Sequence, residues 1–336
     1  MSEVRAYAPG RVNLIGEHTD YVGGLALPMA IDLGTTVVAN RCEDHVVLRS
    51  AQFPGVTDIA LDISDPTTVE PSWGRYVAGV VSVLRPSRGI DGHISTTIPV
   101  GTGLSSSAAL EVAVALALGA SANTLDLARQ CQQAEQIASG VPCGLMDQLT
   151  SAGGREGHAL MIDFRNLQVS PIPVPEQVEI VVVHSGQARE LATSAYALRR
   201  SQLEAAQHLI GPLRDAKLVD VDTIADPTIA ARARHVVSEN QRVREFADAF
   251  ASGDIQRAGH IMNDAHVSFR DDFEASTPTV DQLVERLSAQ PGVYGVRLTG
   301  GGFGGCVVAL TKPGTLSQGW VVRASRGAWI DGPAMI

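Results

Sequence analysis

The sequence predicts a mixed α/β chain that changes character near residue 175. Three observations carry this. Residues 3–8 and 25–40 are rich in β-branched side chains and partly alternate apolar with polar residues, as half-buried strands do. Residues 108–120 form an Ala/Leu/Val run that is apolar nearly all round, the pattern of a buried helix. Prolines at 171, 173 and 175 then mark a compositional shift over residues 166–177, past which long helical stretches dominate.

The remaining elements follow in chain order. Short strands are expected at 46–48 and at 93–97, the second ending at Ile98-Pro99. Between the strands at 3–8 and 25–40, residues 9–24 are polar and Gly-rich and are expected to form a loop. Three serines, Ser105, Ser106 and Ser107, precede the apolar run and suit helix N-caps. A second helix is expected at about 125–139, with Thr124 as cap and Gly140 as stop. Pro142 and Gly144 make a turn before 146–149, and 159–164 suits a strand. After the shift come a strand at 178–184, helices near 188–210, 228–250, 254–269 and 278–289, and strands near 292–299, 304–311 and 319–324. With 336 residues, 45% of them hydrophobic, the chain can bury one large domain or two lobes.

Composition narrows the function. A formal net charge of -10 argues against nucleic acid, whose phosphates demand clustered Lys and Arg. It does not exclude a small phosphate ligand held by backbone amides, one or two arginines and a divalent cation. The cysteines at 42, 131, 143 and 306 include no CxxC pair, so reduced thiols in a cytoplasmic protein are the expectation. The start, Met-Ser-Glu-Val-Arg-Ala-Tyr, has no apolar run behind a basic region, which argues against a signal peptide. The apolar stretch at 108–120 contains Glu111 and is too short for a membrane span.

Three clusters invite a functional explanation. Gly101, Thr102, Gly103, Leu104, Ser105, Ser106 and Ser107 open the buried helix. Glycines admit a ligand close to the backbone, helix N-terminal amides attract an anion, and hydroxyls bond phosphate or magnesium. The segment fits a triphosphate cradle; it fits equally a glycine turn before a serine-capped core helix. It has neither the Gly-Lys-Ser/Thr of a Walker loop nor the third glycine of a dinucleotide fingerprint. Arg11, Asn13, Glu17, His18, Asp20 and Tyr21 lie within eleven residues. Such groups accept and donate several hydrogen bonds at once, as sugar hydroxyls require, and Arg11 offers a planar fork to phosphate. A solvated loop and a metal site are the alternatives. Finally, five glycines surround Phe303 in residues 300–305, more than a hairpin needs, which suggests close approach of backbone to a ligand, with a flexible strand connection as the alternative. Taken singly, Asp147 suits a cap or first-turn acid and Glu135 a helix-surface residue, while Glu111 is an unusual acid on an apolar helix.

Together, residues 10–21, 99–109 and 297–306 resemble, in order and spacing, the three signature motifs of the GHMP small-molecule kinases. The Glu-His-Thr-Asp-Tyr of the first is similar to the galactokinase signature, which mevalonate and homoserine kinases lack. Residues 134–136 and 141–148 resemble the galactokinase segment with the catalytic aspartate, 73–76 a segment near the adenine, 196–200 the segment whose tyrosine touches the sugar, and 322–325 also fits.

The resemblance implies an α/β (α+β) GHMP kinase fold of two lobes, with mixed sheets packed against helices and the active site in the cleft between. The first lobe would span residues 1–175 and the second 176–320, with the tail at 321–336 returning to the first. It implies transfer of the ATP γ-phosphoryl group to the 1-hydroxyl of D-galactose. Asp147 would be the catalytic acid-base residue and Arg11 the group that stabilises the transition state. Glu17, His18, Thr19, Asp20, Gly144 and Tyr196 would bind the sugar. Residues 101–107 would hold the triphosphate, Ser50 and Trp73 the nucleotide, and Ser107 with Glu135 a Mg2+ ion. A monomer is expected. Kinases for N-acetylgalactosamine or arabinose fit the first motif less well. A non-catalytic sugar sensor would lack a catalytic residue, and Arg11, Asp147 and the three serines are all present. One departure stands out: Val22 replaces the Asn that galactokinases usually carry after the tyrosine.

Overall fold

A computed structural model describes residues 3–121, 123–187 and 192–332. Strand β1 (Glu3–Asn13) opens the chain, followed by β2 (Leu25–Ala26), β3 (Pro28–Cys42), β4 (His45–Ser50) and β5 (Val56–Ala60). Helix α1 (Gly74–Leu84) leads to β6 (Gly89–Thr96). Helices α2 (Ser106–Ala117), α3 (Thr124–Ser139) and α4 (Met146–Gly153) come next. Then follow β7 (His158–Asp163), β8 (Gln168–Pro173) and β9 (Glu179–His184). The second half contains α5 (Ala192–Ile210), α6 (Leu218–Val221), α7 (Pro227–Ser252), α8 (Ile255–Asp271), α9 (Pro278–Ser288), β10 (Val293–Leu298), β11 (Cys306–Thr311), β12 (Trp320–Val322) and β13 (Trp329–Asp331). The helix expected from 188 and the tail expected to 336 lie partly outside the described residues.

Among the described residues the strands form three sheets: β13-β1-β3-β6-β4-β5, β10-β11-β9-β12 and β2-β7-β8. All pairings are antiparallel except that of β4 with β6. The first sheet packs its Val4, Val37, Ala39 and Ile90 face against α1 and α2. Helix α2 touches β1, β3 and three other helices. Contact on every side explains why nine of its twelve residues are buried and why its sequence carries no polar face. The second sheet is covered by α8 and α9. A further core joins the two halves: Val12, Leu14, Ile15, Leu25 and Leu27 pack with Phe246, Phe250, Met262 and Val308.

Several local expectations change. Residues 10–13 belong to β1, not to a loop, so Arg11 and Asn13 project from a strand. Gly10 permits this, because a Cβ there would sit 2.5 Å from the Leu104 carbonyl oxygen. The strand expected at 25–40 divides at Leu27 between two sheets. The proline-marked stretch forms strand β8, with Pro171 and Pro173 on the edge of the β2-β7-β8 sheet, where a missing donor is tolerated. The cap of α3 is Asn123, whose side chain accepts from the amides of Leu125 and Asp126; Thr124 is the first helical residue. Gly140 does end that helix, in the left-handed conformation.

Candidate active site

At the end of β1, the backbone N–H of Arg11 donates to Leu104 O at 3.1 Å, tying the strand to the glycine-serine loop. The buried Arg11 side chain then reaches Asp147 in the first turn of α4. Nε donates to Oδ1 and Nη2 to Oδ2, each at 2.9 Å, a two-pronged pair of the strong kind. Nη1 donates to Gly103 O at 2.7 Å. Ser105 Oγ donates to Asp147 Oδ2 at 2.5 Å. Three donors from two distant segments therefore hold one carboxylate still.

Ser105 departs from its expected role as a cap. It is the N-cap residue of α2, yet it adopts a left-handed φ of 59° and its hydroxyl makes no cap bond. Its hydroxyl is committed to Asp147, which leaves the first amides of α2 without a side-chain cap, the condition an anion site requires. In the same loop, Thr102 donates to Pro99 O at 2.7 Å and Leu104 is buried in the core, so these two offer backbone rather than side chains.

Asp147 lines a cavity of about 210 Å³ together with Arg11, Glu17, His18, Asp20, Glu135, Cys143, Gly144, Met146, Gln148, Tyr196, Gly300 and Gly301. His18 has a φ of 59°, unusual for a side chain that is not glycine. It is held there: Nδ1 lies 2.8 Å from Tyr21 Oη, Nε2 lies 3.2 Å from Gly301 O, and the ring packs 4.6 Å from Phe273 and 5.0 Å from Tyr196. Burial raises the Asp20 carboxyl to a pKa of about 6, and the Asp147 charge adds to the rise. A Cβ on Gly144 would lie 1.6 Å from Asp20 Oδ2, so Asp20 occupies this position only because residue 144 is glycine. Glu17 accepts from Gly300 N at 2.8 Å and from Arg297 Nη1 at 3.2 Å, both on Oε1.

Thr19 is the exception among the expected sugar residues. It is wholly buried, outside the cavity lining, with its hydroxyl 2.7 Å from Leu25 O and 3.0 Å from Gly16 O. It fixes the turn and does not face the cavity. The C-terminal glycines also differ in part from expectation. Gly300 and Gly301 do line the cavity, but much of what the loop approaches is protein: Glu17, His18 and the Ala275 carbonyl, which accepts from Phe303 N at 2.7 Å.

A second cavity, of about 270 Å³, is lined by Ser50, Trp73, Ser106 and Ser107, and by Thr35, Gln52, Phe53, Tyr76, Ile94, Thr96 and Leu110. Its apolar walls and aromatic rings suit a flat heterocycle. Ser50 Oγ accepts from the amides of Gln52 and Phe53, so it shapes the wall. The two cavities meet through one hydrogen bond, Ser107 Oγ to Glu135 Oε1 at 2.8 Å. Gln148 Nε2 donates to Glu135 Oε2 and, at 3.2 Å, to the buried Glu111. Burial raises Glu135 to a pKa of about 7, with Asp147 adding to the rise. A hydroxyl and one carboxylate beside a phosphate cradle are a donor set that fits Mg2+, which takes few protein ligands and completes its octahedron with phosphate and water. Among the described residues no group of three or more His, Cys, Asp or Glu side chains could hold a metal.

Gln52, Phe53, Tyr76 and Gln148 were not legible as site residues. Tyr76 and Gln148 do lie in the family-like segments 73–76 and 141–148. Gln52 and Phe53 lie on a loop with no pattern of its own.

The galactokinase galactose-binding signature matches residues 2–41. The N-terminal domain of GHMP kinases matches 75–155, and their C-terminal domain 246–319. Lactococcus lactis galactokinase, crystallised with galactose, shares 30% identity with this chain, covers 97% of it and 95% of its own length, and superposes with a TM-score of 0.90. The chain belongs to the galactokinase family of GHMP kinases. More distant solved structures share the fold alone. Methanococcus jannaschii mevalonate kinase has 19% identity, coverage of 99% and 98%, and a TM-score of 0.68. The Lin0012 protein of Listeria innocua has 14% identity, coverage of 98% and 99%, and a TM-score of 0.72. The family's galactose-binding signature thus ends within β3 and contains β1, the Arg11 fork and the loop carrying Glu17, His18 and Asp20. Among the described residues no helix is long and apolar enough to cross a membrane.

Proposed function

We propose that this galactokinase-family chain transfers the γ-phosphoryl group of ATP to the 1-hydroxyl of D-galactose, giving galactose 1-phosphate and ADP. The observation that carries this reading is the Arg11–Asp147–Ser105 cluster, set between a polar cavity and an apolar one. Glu17, His18, Asp20 and Tyr196 suit the sugar hydroxyls, and Gly144 makes room for Asp20. The backbone of residues 101–107 and the start of α2 suit the triphosphate, with Ser50 and Trp73 on the nucleotide side.

Phosphoryl transfer depends on in-line positioning and charge neutralisation more than on covalent chemistry. Asp147, clamped by Arg11 and Ser105, accepts a hydrogen bond from the 1-hydroxyl and aims its oxygen at the phosphorus. Arg11 faces the charge that develops between acceptor and donor. The uncapped amides of α2 receive phosphate oxygens. Ser107 and Glu135 would hold Mg2+, which neutralises phosphate charge when bound. The protein is read as a cytoplasmic monomer working on two small molecules, and neither nucleic acid nor membrane enters. The reading includes two lobes divided near residue 175, with the tail returning to the first lobe. Separate sheets in the two halves and the pairing of β13 with β1 support this.

The test is coupled detection of ADP against a panel that includes galactose, glucose, N-acetylgalactosamine and arabinose. ADP release with galactose, and much less with the others, is expected. Preference for N-acetylgalactosamine or arabinose would transfer the reading to a related sugar-1-kinase. Absence of ADP release with every sugar would favour a sensor and overturn the enzyme.

A further inference from the structure

We propose that Glu239 and Asn240, consecutive residues of α7, are positioning residues that clamp the two ends of the loop at 16–25 and so preset its sugar contacts. This rests on the sugar-kinase reading above. Helix α7 lies outside the segments that resemble the family's motifs, and neither residue lines the cavity.

The geometry is specific. Gly16 N–H donates to Glu239 Oε1 at 2.9 Å, and Leu25 N–H donates to Asn240 Oδ1 at 2.8 Å. Between these anchors lie Glu17, His18 and Asp20. Asn240 cannot turn freely, because its Nδ2 donates to Val236 O of the same helix at 2.9 Å. The preceding Gly24 is fitted to it: a Cβ there would lie 2.7 Å from Asn240 Oδ1.

A buried charge chain extends the clamp into the cavity. Arg297 is 0% exposed and stands between two carboxylates, Glu17 at 3.2 Å and Glu239 at 4.0 Å. Arg242 Nε closes the far end on Glu239 Oε2 at 2.7 Å. Burial works to raise the Glu239 pKa, but Arg242 and Arg297 outweigh it, and the carboxyl is held at about 2. The chain Arg242–Glu239–Arg297–Glu17 thus alternates basic and acidic side chains. Glu17 gives Oε1 to this network and to Gly300 N, while Oε2 takes none of these bonds. Buried ion pairs add little net stability compared with apolar packing, but they do fix geometry, since removing one partner strands the others. What is fixed here is the direction of a cavity carboxylate. Outer partners of this kind typically alter affinity or activity by about 10–100-fold when lost.

The test uses the full chain with Glu239→Gln and Asn240→Ala, varying galactose at saturating ATP and then ATP at saturating galactose. The expected result is a rise of about tenfold or more in KM for galactose, with KM for ATP within about twofold and kcat far less affected. A merely structural role would lower thermal stability without separating the two substrates. Unchanged KM for galactose in the folded variants, or a parallel rise for ATP, overturns the clamp. Should Glu239→Gln fail to fold, Arg242→Gln removes the part-exposed end of the same chain and is judged by the same two criteria. Absence of turnover with every sugar in the unsubstituted protein would instead refute the kinase reading and is recognisable as such.

Discussion

In the proposed mechanism, Asp147 concentrates the chemistry at the scale of single residues. Its two oxygens are taken by Arg11 and Ser105, so replacing it with Asn keeps the shape and removes the charge. Asp147→Asn is expected to lower kcat by about 10²–10⁴-fold while galactose binding by calorimetry changes only a few fold. Near-normal turnover would remove Asp147 from the mechanism. Asp20 yields a pH prediction. Its folded pKa, raised to about 6, means that the fold favours the protonated form. Its contribution to stability is therefore complete below about pH 4 and lost as pH rises through 6. Sugar binding runs the other way if hydroxyls donate to the carboxylate. Galactose binding at pH 6 should then release protons, and the calorimetric heat should vary with the ionisation enthalpy of the buffer. A heat independent of the buffer would exclude ionised Asp20 as the acceptor. Such residues were legible because Arg11, Glu17, His18 and Asp20 crowd a short span. Thr19 shares that span and yet turns inward, because spacing in a tight turn does not show which side chain satisfies the turn's own carbonyls.

Helix α2 shows how an element can be readable in kind and misread in detail. Its apolar run predicted burial, and burial is what the contacts with β1, β3 and three helices produce. The serines looked like caps because caps are local. Ser105 instead serves Asp147, 42 residues on, and no local rule reveals such a partner. The same distance effect hid α1 and β13: α1 is amphipathic but follows loops without strong signals, and β13 is short and becomes a strand only beside β1. Ser107, the second residue of α2, hydrogen-bonds Glu135 at 2.8 Å. Ser107→Ala should raise the Mg2+ concentration needed for half-maximal rate about tenfold, with the galactose KM little changed. An unaltered Mg2+ dependence would remove Ser107 from the cation site.

For the whole molecule, the decisive fact is the core that joins the halves. Phe246 and Phe250 stack 5.0 Å apart on α7 and pack with residues of β1 and β2. The composition shift near residue 175 falls just past an edge strand, whose Pro171 and Pro173 belong to a sheet begun by β2, and the shared core bridges the two sides of it. Composition along the chain records where side chains are polar, not which distant segments share a core. One cooperative unfolding transition is therefore expected by tryptophan fluorescence and by circular dichroism. Phe246→Ala should lower stability by about 3–5 kcal/mol in that single transition. Two separated transitions would show that the shared core does not couple the halves.

The Arg297–Glu17 contact has a consequence for biosynthesis. Its partners lie 280 residues apart in the chain. At the usual pace of about 5–20 residues per second, Glu17 leaves the ribosome roughly 15–60 s before Arg297 exists. Until α7 has followed, the acidic loop also lacks the Glu239 carboxylate and the Asn240 amide that anchor its ends, and its arginine comes later still. The nascent chain can pair β1, β3, β6, β4 and β5 early, yet its capacity to recognise a sugar matures only when synthesis is almost finished.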